Sequence, residues 1–331
     1  MDQTQGNISI NPAPVKNQKD PEGMDFSKLN KTSNRQKIIN RNAWCFVTPM
    51  LLYYILFSVV PIALLFVLCW TDWNGVNGNI FTLEGINFVG VEQFKKIFQP
   101  EYLKLIWNTA LMGLIQLIVG MVLGFLIAQI FVMKIRGMYL FRTIWYLPTV
   151  CSMAVISQIF SLFLNTTYGI FNIMLEKIGL NAINWFDSTF WMFFWIIVIG
   201  IWKGLGGTCL YFMAGLNGVP VELYEAASVD GVNKYQKMWY ITIPMIKPMT
   251  SYVFITSCIG MWGTFETVQL ISNGGPNQST EVIMFLIYKQ CFKNFNMGFG
   301  AALSVVLLFM IMVLTIINFR LTNLQISGRA D

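Results

Sequence analysis

Two charged side chains sit where charge is costly. Lys203 and Glu266 are the only Asp, Glu, Lys or Arg residues inside six long apolar stretches of the sequence, and an ionisable group in hydrocarbon needs a reason to be there. Counted at 1.5 Å per helical residue from Asn217 and Thr250, Lys203 lies about 21 Å deep and Glu266 about 24 Å deep. They share a depth. Each can pair with the other, meet different polar groups, snorkel, or face a watered cavity. Trp262, Glu266 and Gln269 follow a spacing of four then three, which puts them on one helical face. An indole to cover the apolar C–H face of a sugar, with a carboxylate and an amide for its hydroxyls, is a coherent set. Asn108, Met112 and Gln116 form a similar stripe. The competing reading of both faces is a helix–helix interface whose polar groups bond to neighbours.

Other chemistry is excluded by what the chain lacks. There is no histidine among its 331 residues, so histidine-based catalysis and the commonest zinc ligand are both gone. Cys45, Cys69, Cys151, Cys209, Cys258 and Cys291 form no C-x-x-C pair or metal spacing, and five of them lie in apolar runs as small buried hydrophobes. No G-x-x-x-x-G-K-[ST] stretch exists, so this polypeptide has no phosphate-cradling loop for ATP.

The elements that position these residues are membrane helices. The composition is 55% hydrophobic and only 11% charged, too apolar for a soluble chain of this length. About 20 apolar residues cross a bilayer core, and six stretches qualify: Ala43 to Trp70, Leu105 to Met133, Thr143 to Leu164, Phe190 to Leu216, Thr250 to Ile271 and Gly298 to Phe319. The first, with Trp44, Trp70 and Trp73 near its ends, is too long for a cleavable signal core. Residues 1–42 read as a flexible tail with scattered prolines and charges. Residues 43–320 form one transmembrane domain, and residues 321–331 are a second tail.

An even number of spans puts both termini on one side, and the basic residues say which. That side carries Lys16, Lys19, Lys28, Lys31, Arg35, Lys37, Arg41, Lys134, Arg136, Arg142, Lys234, Lys237, Lys247, Arg320 and Arg329; the other carries Lys95, Lys96, Lys104, Lys177, Lys289 and Lys293. The acids divide almost evenly, so the positive-inside rule makes the first side cytoplasmic. The formal charge of +6 is therefore an orientation signal rather than the mark of a nucleic-acid ligand.

Between the fourth and fifth spans, residues 218–249 form a cytoplasmic segment with helix signals of its own. Pro220 suits a first helical position, Glu222 and Glu225 favour the positive end of the dipole, and Gly231 ends the helix in a left-handed conformation. About eleven residues, roughly 16 Å, result. The small Ala226-Ala227 pair lets a partner surface approach the backbone. Glu225-Ala226-Ala227, then Asp230-Gly231, then Ile241-Thr242-Ile243-Pro244 resembles the EAA loop of permease subunits in bacterial binding-protein-dependent ABC importers, with Ile243 where leucine is usual. Gln236 and Pro248 resemble the sugar-importer branch. So do Ala43-Trp44, Pro49, Pro61, Asp72-Trp73-Asn74, Phe88-Val89-Gly90, Phe94, Asn108-Thr109, Ser272-Asn273-Gly274-Gly275-Pro276, Thr280 and the run Gly298 to Ser304. Together they are similar to the maltose-transport permease type that fills the first of two permease positions.

The resemblance implies an all-α, six-helix type I permease in the bacterial cytoplasmic membrane, non-catalytic and without a cofactor of its own. ATP and Mg would be held by two cytoplasmic ATPase subunits. A second permease and an extracellular or periplasmic sugar-binding protein complete the importer, and Glu225, Ala226, Ala227, Asp230, Gly231 and Pro244 carry the coupling. Lys203 is the only base within the spans, which favours a neutral carbohydrate over a phosphorylated one. Two other classes stay open: an ion-gradient-driven secondary transporter using Glu266 as a proton site, and an integral membrane enzyme.

Overall fold

The computed structural model of the chain describes residues 34–78, 84–133, 135–260 and 264–327. It divides into two compact units, residues 1–62 and 63–331.

In the first unit, α1 (Asn34–Tyr54) begins inside the expected tail, and a wider π-type stretch, Ile55–Val59, continues it. Arg35, Lys37 and Arg41 are good helix formers, so nothing stops the helix from starting ahead of the apolar run. Pro49 lies within it. Residues 1–33 of the expected tail lie outside the described residues. α2 (Val60–Leu68) carries the chain into the second unit.

That unit opens with a turn closed by an isolated antiparallel bridge between Thr71 and Phe88. The short α3 (Glu92–Ile97) follows, then α4 (Pro100–Val132), whose Pro100 occupies the first turn, where a missing N–H costs nothing. α5 (Met138–Val150), α6 (Met153–Phe163) and α7 (Ile170–Lys177) lead to α8 (Thr189–Asn217). Next come α9 (Val221–Val229), α10 (Lys234–Lys237), a π-type stretch Met238–Thr242, α11 (Ile243–Met245) and α12 (Lys247–Gly260). α13 (Phe265–Thr267), a second π-type stretch Val268–Ser272, α14 (Ile283–Tyr288), a third at Lys289–Lys293 and α15 (Met297–Ser327) complete the order.

Helices α4 and α8 form the most extensive pairing in the molecule. Glycine allows the approach: a methyl group on Gly124 of α4 would stand 2.5 Å from Thr208 Cγ2 of α8. Met112, Ile196 and Val268 meet at one level of this pair, and Ala128, Cys209, Phe212 and Val253 at another. α15 packs along α12 and α14, with Phe299, Ala302 and Leu303 buried.

The protein is an all-helical membrane protein, but its helices are not six straight rods. Among the described residues, unbroken apolar helices long enough to cross a membrane run over Ala43–Leu68, Pro100–Val132, Thr189–Asn217 and Met297–Arg320. The expected span from Thr143 to Leu164 is instead the pair α5 and α6, bent by 96°. Cys151 and Ser152 adopt extended backbone there, and Ser152 Oγ caps α6 by accepting the Val155 N–H. Pro148 three residues earlier withholds a helical N–H from the last turn of α5. Within the expected span from Thr250 to Ile271, α12 runs to Gly260 and α13 begins at Phe265, with residues 261–263 outside the described residues.

Candidate functional site

Two regions hold the residues singled out by the sequence. The first is α9. Pro220 sits just before the helix, in extended backbone as its N-cap, and the helix is nine residues long rather than eleven. Its C-terminus is closed by a complete Schellman pair: Val232 N–H donates to the Ala227 carbonyl at 3.0 Å, and Gly231 N–H to the Ser228 carbonyl at 3.3 Å. Gly231 takes φ +73°, where a side chain is disfavoured. Asn233 and Gln236 then form a reciprocal capping box that starts α10, a signal present in the sequence and missed there.

The Schellman pair and the capping box bracket the turn between α9 and α10. Glu222, Glu225, Ala226 and Asp230 are exposed, while Ala227 is buried. The Ala226-Ala227 pair is thus split between surface and interior, so only Ala226 offers a low profile to a partner. Tyr224 also turns inward, its hydroxyl 2.8 Å from Thr242 Oγ1. Val229 is 88% exposed at the end of the helix. Pro244 lies in the short α11 and is half-buried.

The second region is a cleft beside α8. Two adjoining cavities of about 290 and 320 Å³ share Gln116, Gly200, Gly204 and Gly260. Thr208, Tyr211, Thr256 and Ser257 line one; Thr149, Lys203, Thr264, Glu266 and Thr267 line the other. Hydroxyls and an amide are interspersed with bare glycine backbone and with Leu117, Ile201 and Met153, which gives a mostly apolar wall with polar groups set into it. A methyl group on Gly200 would meet the Gln116 amide at 2.8 Å. The glycines of the fourth span were the overlooked sequence signal for this wall.

Lys203 and Glu266 do line one cavity, but no ion pair joins them among the described residues. Lys203 Nζ donates instead to the Cys151 carbonyl at 2.7 Å and the Thr149 carbonyl at 3.4 Å. Thr149 Oγ1 returns a hydrogen bond to the Lys203 carbonyl at 2.9 Å. Thr149 carries one of the last carbonyls of α5, which its own helix cannot satisfy, and Cys151 is the extended residue that caps its end. The amine therefore sits at the negative end of a helix dipole, at the bend. Gly206 lets α5 close on α8, since its missing side chain leaves room for the Trp145 carbonyl at 3.1 Å.

The remaining candidates separate. Gln116 lines both cavities and donates weakly to the Ile196 carbonyl at 3.4 Å. Asn108 lines neither; it is 8% exposed and donates to the Ser279 carbonyl at 2.7 Å. Gln269 lies in the π-type stretch after α13 and is not among the residues lining the cleft. The wider turn there breaks the four-then-three phase on which its grouping with Glu266 depended. Trp262 lies outside the described residues. The sequence also missed an ion pair, Glu281 to Lys289 at 3.0 Å, in which Glu281 is buried and Lys289 partly exposed. Glu281 lies ahead of α14 and Lys289 begins the π-type stretch after it, so the two share no single regular helix whose register would have linked them.

A family model described as "Binding-protein-dependent transport system inner membrane component" matches residues 120–326, which takes in the α9 segment and the cleft apart from Gln116 and Leu117. The chain is 30% identical over 300 residues to the arabinooligosaccharides transport system permease protein AraP of Halalkalibacterium halodurans, covering 90% of this chain and 92% of that one. It is 28% identical over 242 residues to the sn-glycerol-3-phosphate transport system permease protein UgpA of Agrobacterium fabrum, covering 72% and 82%. In fold it is similar to a chain in the crystal structure of a bacterial ABC transporter involved in the import of the acidic polysaccharide alginate, with a TM-score of 0.75, 21% identity, and 88% and 99% of the two chains covered.

Proposed function

The chain belongs to the binding-protein-dependent transport system inner membrane component family, and on that premise we propose how its two sites divide the work of an ATP-driven sugar importer. It is a non-catalytic permease subunit: the ATPase resides on other chains. A second permease completes the membrane path, two ATPase subunits drive it, and a binding protein outside the cell supplies cargo. The chain crosses the membrane six times, with the bent α5–α6 pair as an irregular crossing and the stretch from α12 to Ser272 as the fifth. The basic-residue asymmetry places both termini and α9 on the cytoplasmic side.

The observation that carries this reading is the exposed, tightly closed α9 inside the matched region. A helix whose end is fixed by the Schellman pair, followed by the α10 capping box and braced by Tyr224 on Thr242, transmits displacement instead of fraying. Glu225 and Ala226 present its outward face to a groove on one ATPase subunit. Closure of the ATPase pair on ATP then moves α9, and through it the end of α8, between inward- and outward-facing arrangements.

The cleft takes the cargo. Gln116, Thr208, Tyr211, Thr256 and Ser257 supply hydroxyl and amide partners for a sugar, and the glycine wall lets it slide. Lys203, the one amine there, is held by helix carbonyls, which favours a neutral carbohydrate over an anionic one. Purification from the native cell recovers this chain with a second permease and an ATPase, and Glu225→Lys abolishes cargo-stimulated ATP hydrolysis and uptake while insertion persists. Uptake by the chain alone that survives ATP depletion and collapses with the ion gradient would overturn the proposal in favour of a secondary transporter.

A further inference from the structure

Behind α9 lies a cavity of about 430 Å³ that neither the cleft nor the coupling face uses. Its walls come from the end of α4 (Gln129, Val132, Met133), the end of α8 (Leu216), and the α9 to Thr242 segment (Tyr224, Lys234, Lys237, Met238, Thr242). Two lysines line it, and no acid does. Lys237 Nζ donates to the Tyr224 carbonyl at 3.3 Å and to Ser228 Oγ, which uses two of its three N–H groups.

We propose that this cavity holds the headgroup of an anionic phospholipid. The polar half, Lys234, Lys237 and the Gln129 amide, suits a phosphodiester, which offers oxygens to several N–H donors at once. The other half, Val132, Met133, Leu216 and Met238, is apolar and lines the start of an acyl chain. The surrounding surface belongs at headgroup depth: Tyr235, Trp239 and Tyr240 are 77%, 64% and 78% exposed on the same segment. Amphipathic rings concentrate at that level of a bilayer, and basic residues there attract anionic lipid. A free inorganic anion would leave the apolar half of the cavity unfilled. Because the walls join α9 to the ends of α4 and α8, an occupant braces the coupling helix against both. That consequence rests on the coupling reading; the binding site itself does not.

The test uses the intact importer in nanodiscs of phosphatidylcholine containing a minority of phosphatidylglycerol, followed by exchange into lipid-free detergent and mass spectrometry of the complex. The native complex retains phosphatidylglycerol in preference to phosphatidylcholine. Lys234→Gln lowers that retention by about fivefold, the effect of one basic residue near a membrane surface. Leu216→Trp, which fills the cavity without changing charge, lowers it as well. Lys247→Gln, the same charge change outside the cavity, leaves it intact. Unchanged retention in both Lys234→Gln and Leu216→Trp overturns the site, and equal loss in Lys247→Gln reduces it to general surface charge. Stripping of the lipid by inorganic phosphate alone overturns the commitment to a lipid. Retention is read without cargo or ATP, so a failed Glu225→Lys test leaves this result standing, and the reverse also holds.

Discussion

Replacing Lys203 by methionine keeps much of the side-chain volume and removes the amine that holds the α5–α6 bend. Two carbonyl acceptors lose their donor, Cys151 O at 2.7 Å and Thr149 O at 3.4 Å. The second is too long to contribute much, so the cost is that of one strong bond to a helix-end carbonyl. A buried carbonyl left unsatisfied costs about 1–3 kcal/mol. Here the acceptor borders a cleft wide enough for water, which brings the figure to about 1–2 kcal/mol, or roughly 5- to 30-fold in the opening equilibrium of the bend. Hydrogen exchange of the amides from Cys151 to Ile156, measured on the importer in nanodiscs, reads that equilibrium directly. Protection falls by this factor in Lys203→Met and is largely kept in Lys203→Arg, which still donates. Glu266→Gln leaves protection unchanged, because no ion pair joins it to Lys203 among the described residues. Equal loss of protection in Glu266→Gln, with no further loss in the double variant, would refute the argument by showing that the two charges act as a pair.

Two further outcomes follow from local geometry. Gly124→Ala places a methyl group 2.5 Å from Thr208 Cγ2 and 3.1 Å from its Cβ, so α4 and α8 must move apart; the expected loss is about 1–3 kcal/mol, read as a lower thermal midpoint of the importer in detergent and partly restored by adding Thr208→Ala. Burial pushes the Cys291 thiol above its ordinary value, so its thiolate appears only at higher pH than that of a free cysteine; maleimide labelling followed by peptide mapping rises later with pH than labelling of a model thiol, and the same midpoint for both would count against the burial.

Much of this was legible before any coordinates. Apolar run lengths mark the long helices because crossing hydrocarbon demands both length and internal hydrogen bonding. The spacing Glu225-Ala226-Ala227 to Gly231 locates α9 and its stop, since only a left-handed residue ends a helix that way and glycine takes that conformation at least cost. The basic-residue tally is likewise a property of sequence, not of packing.

Other features waited for the fold because they depend on groups distant in sequence. Ala226 and Ala227 are equivalent as letters, and only the packing of α9 through Tyr224 turns one outward and buries the other. Asn108 and Gln116 share a helical stripe, yet Ser279 claims the first and the cleft receives the second. Depth counting placed Lys203 level with Glu266 by assuming straight helices; the 96° bend brings carbonyls more than fifty residues earlier in the chain to the amine instead. Periodicity along one helix fixes which side chains share a face. What that face meets is set by the neighbour that comes closest, and here missing side chains at Gly124 and Gly206 decide which neighbours can.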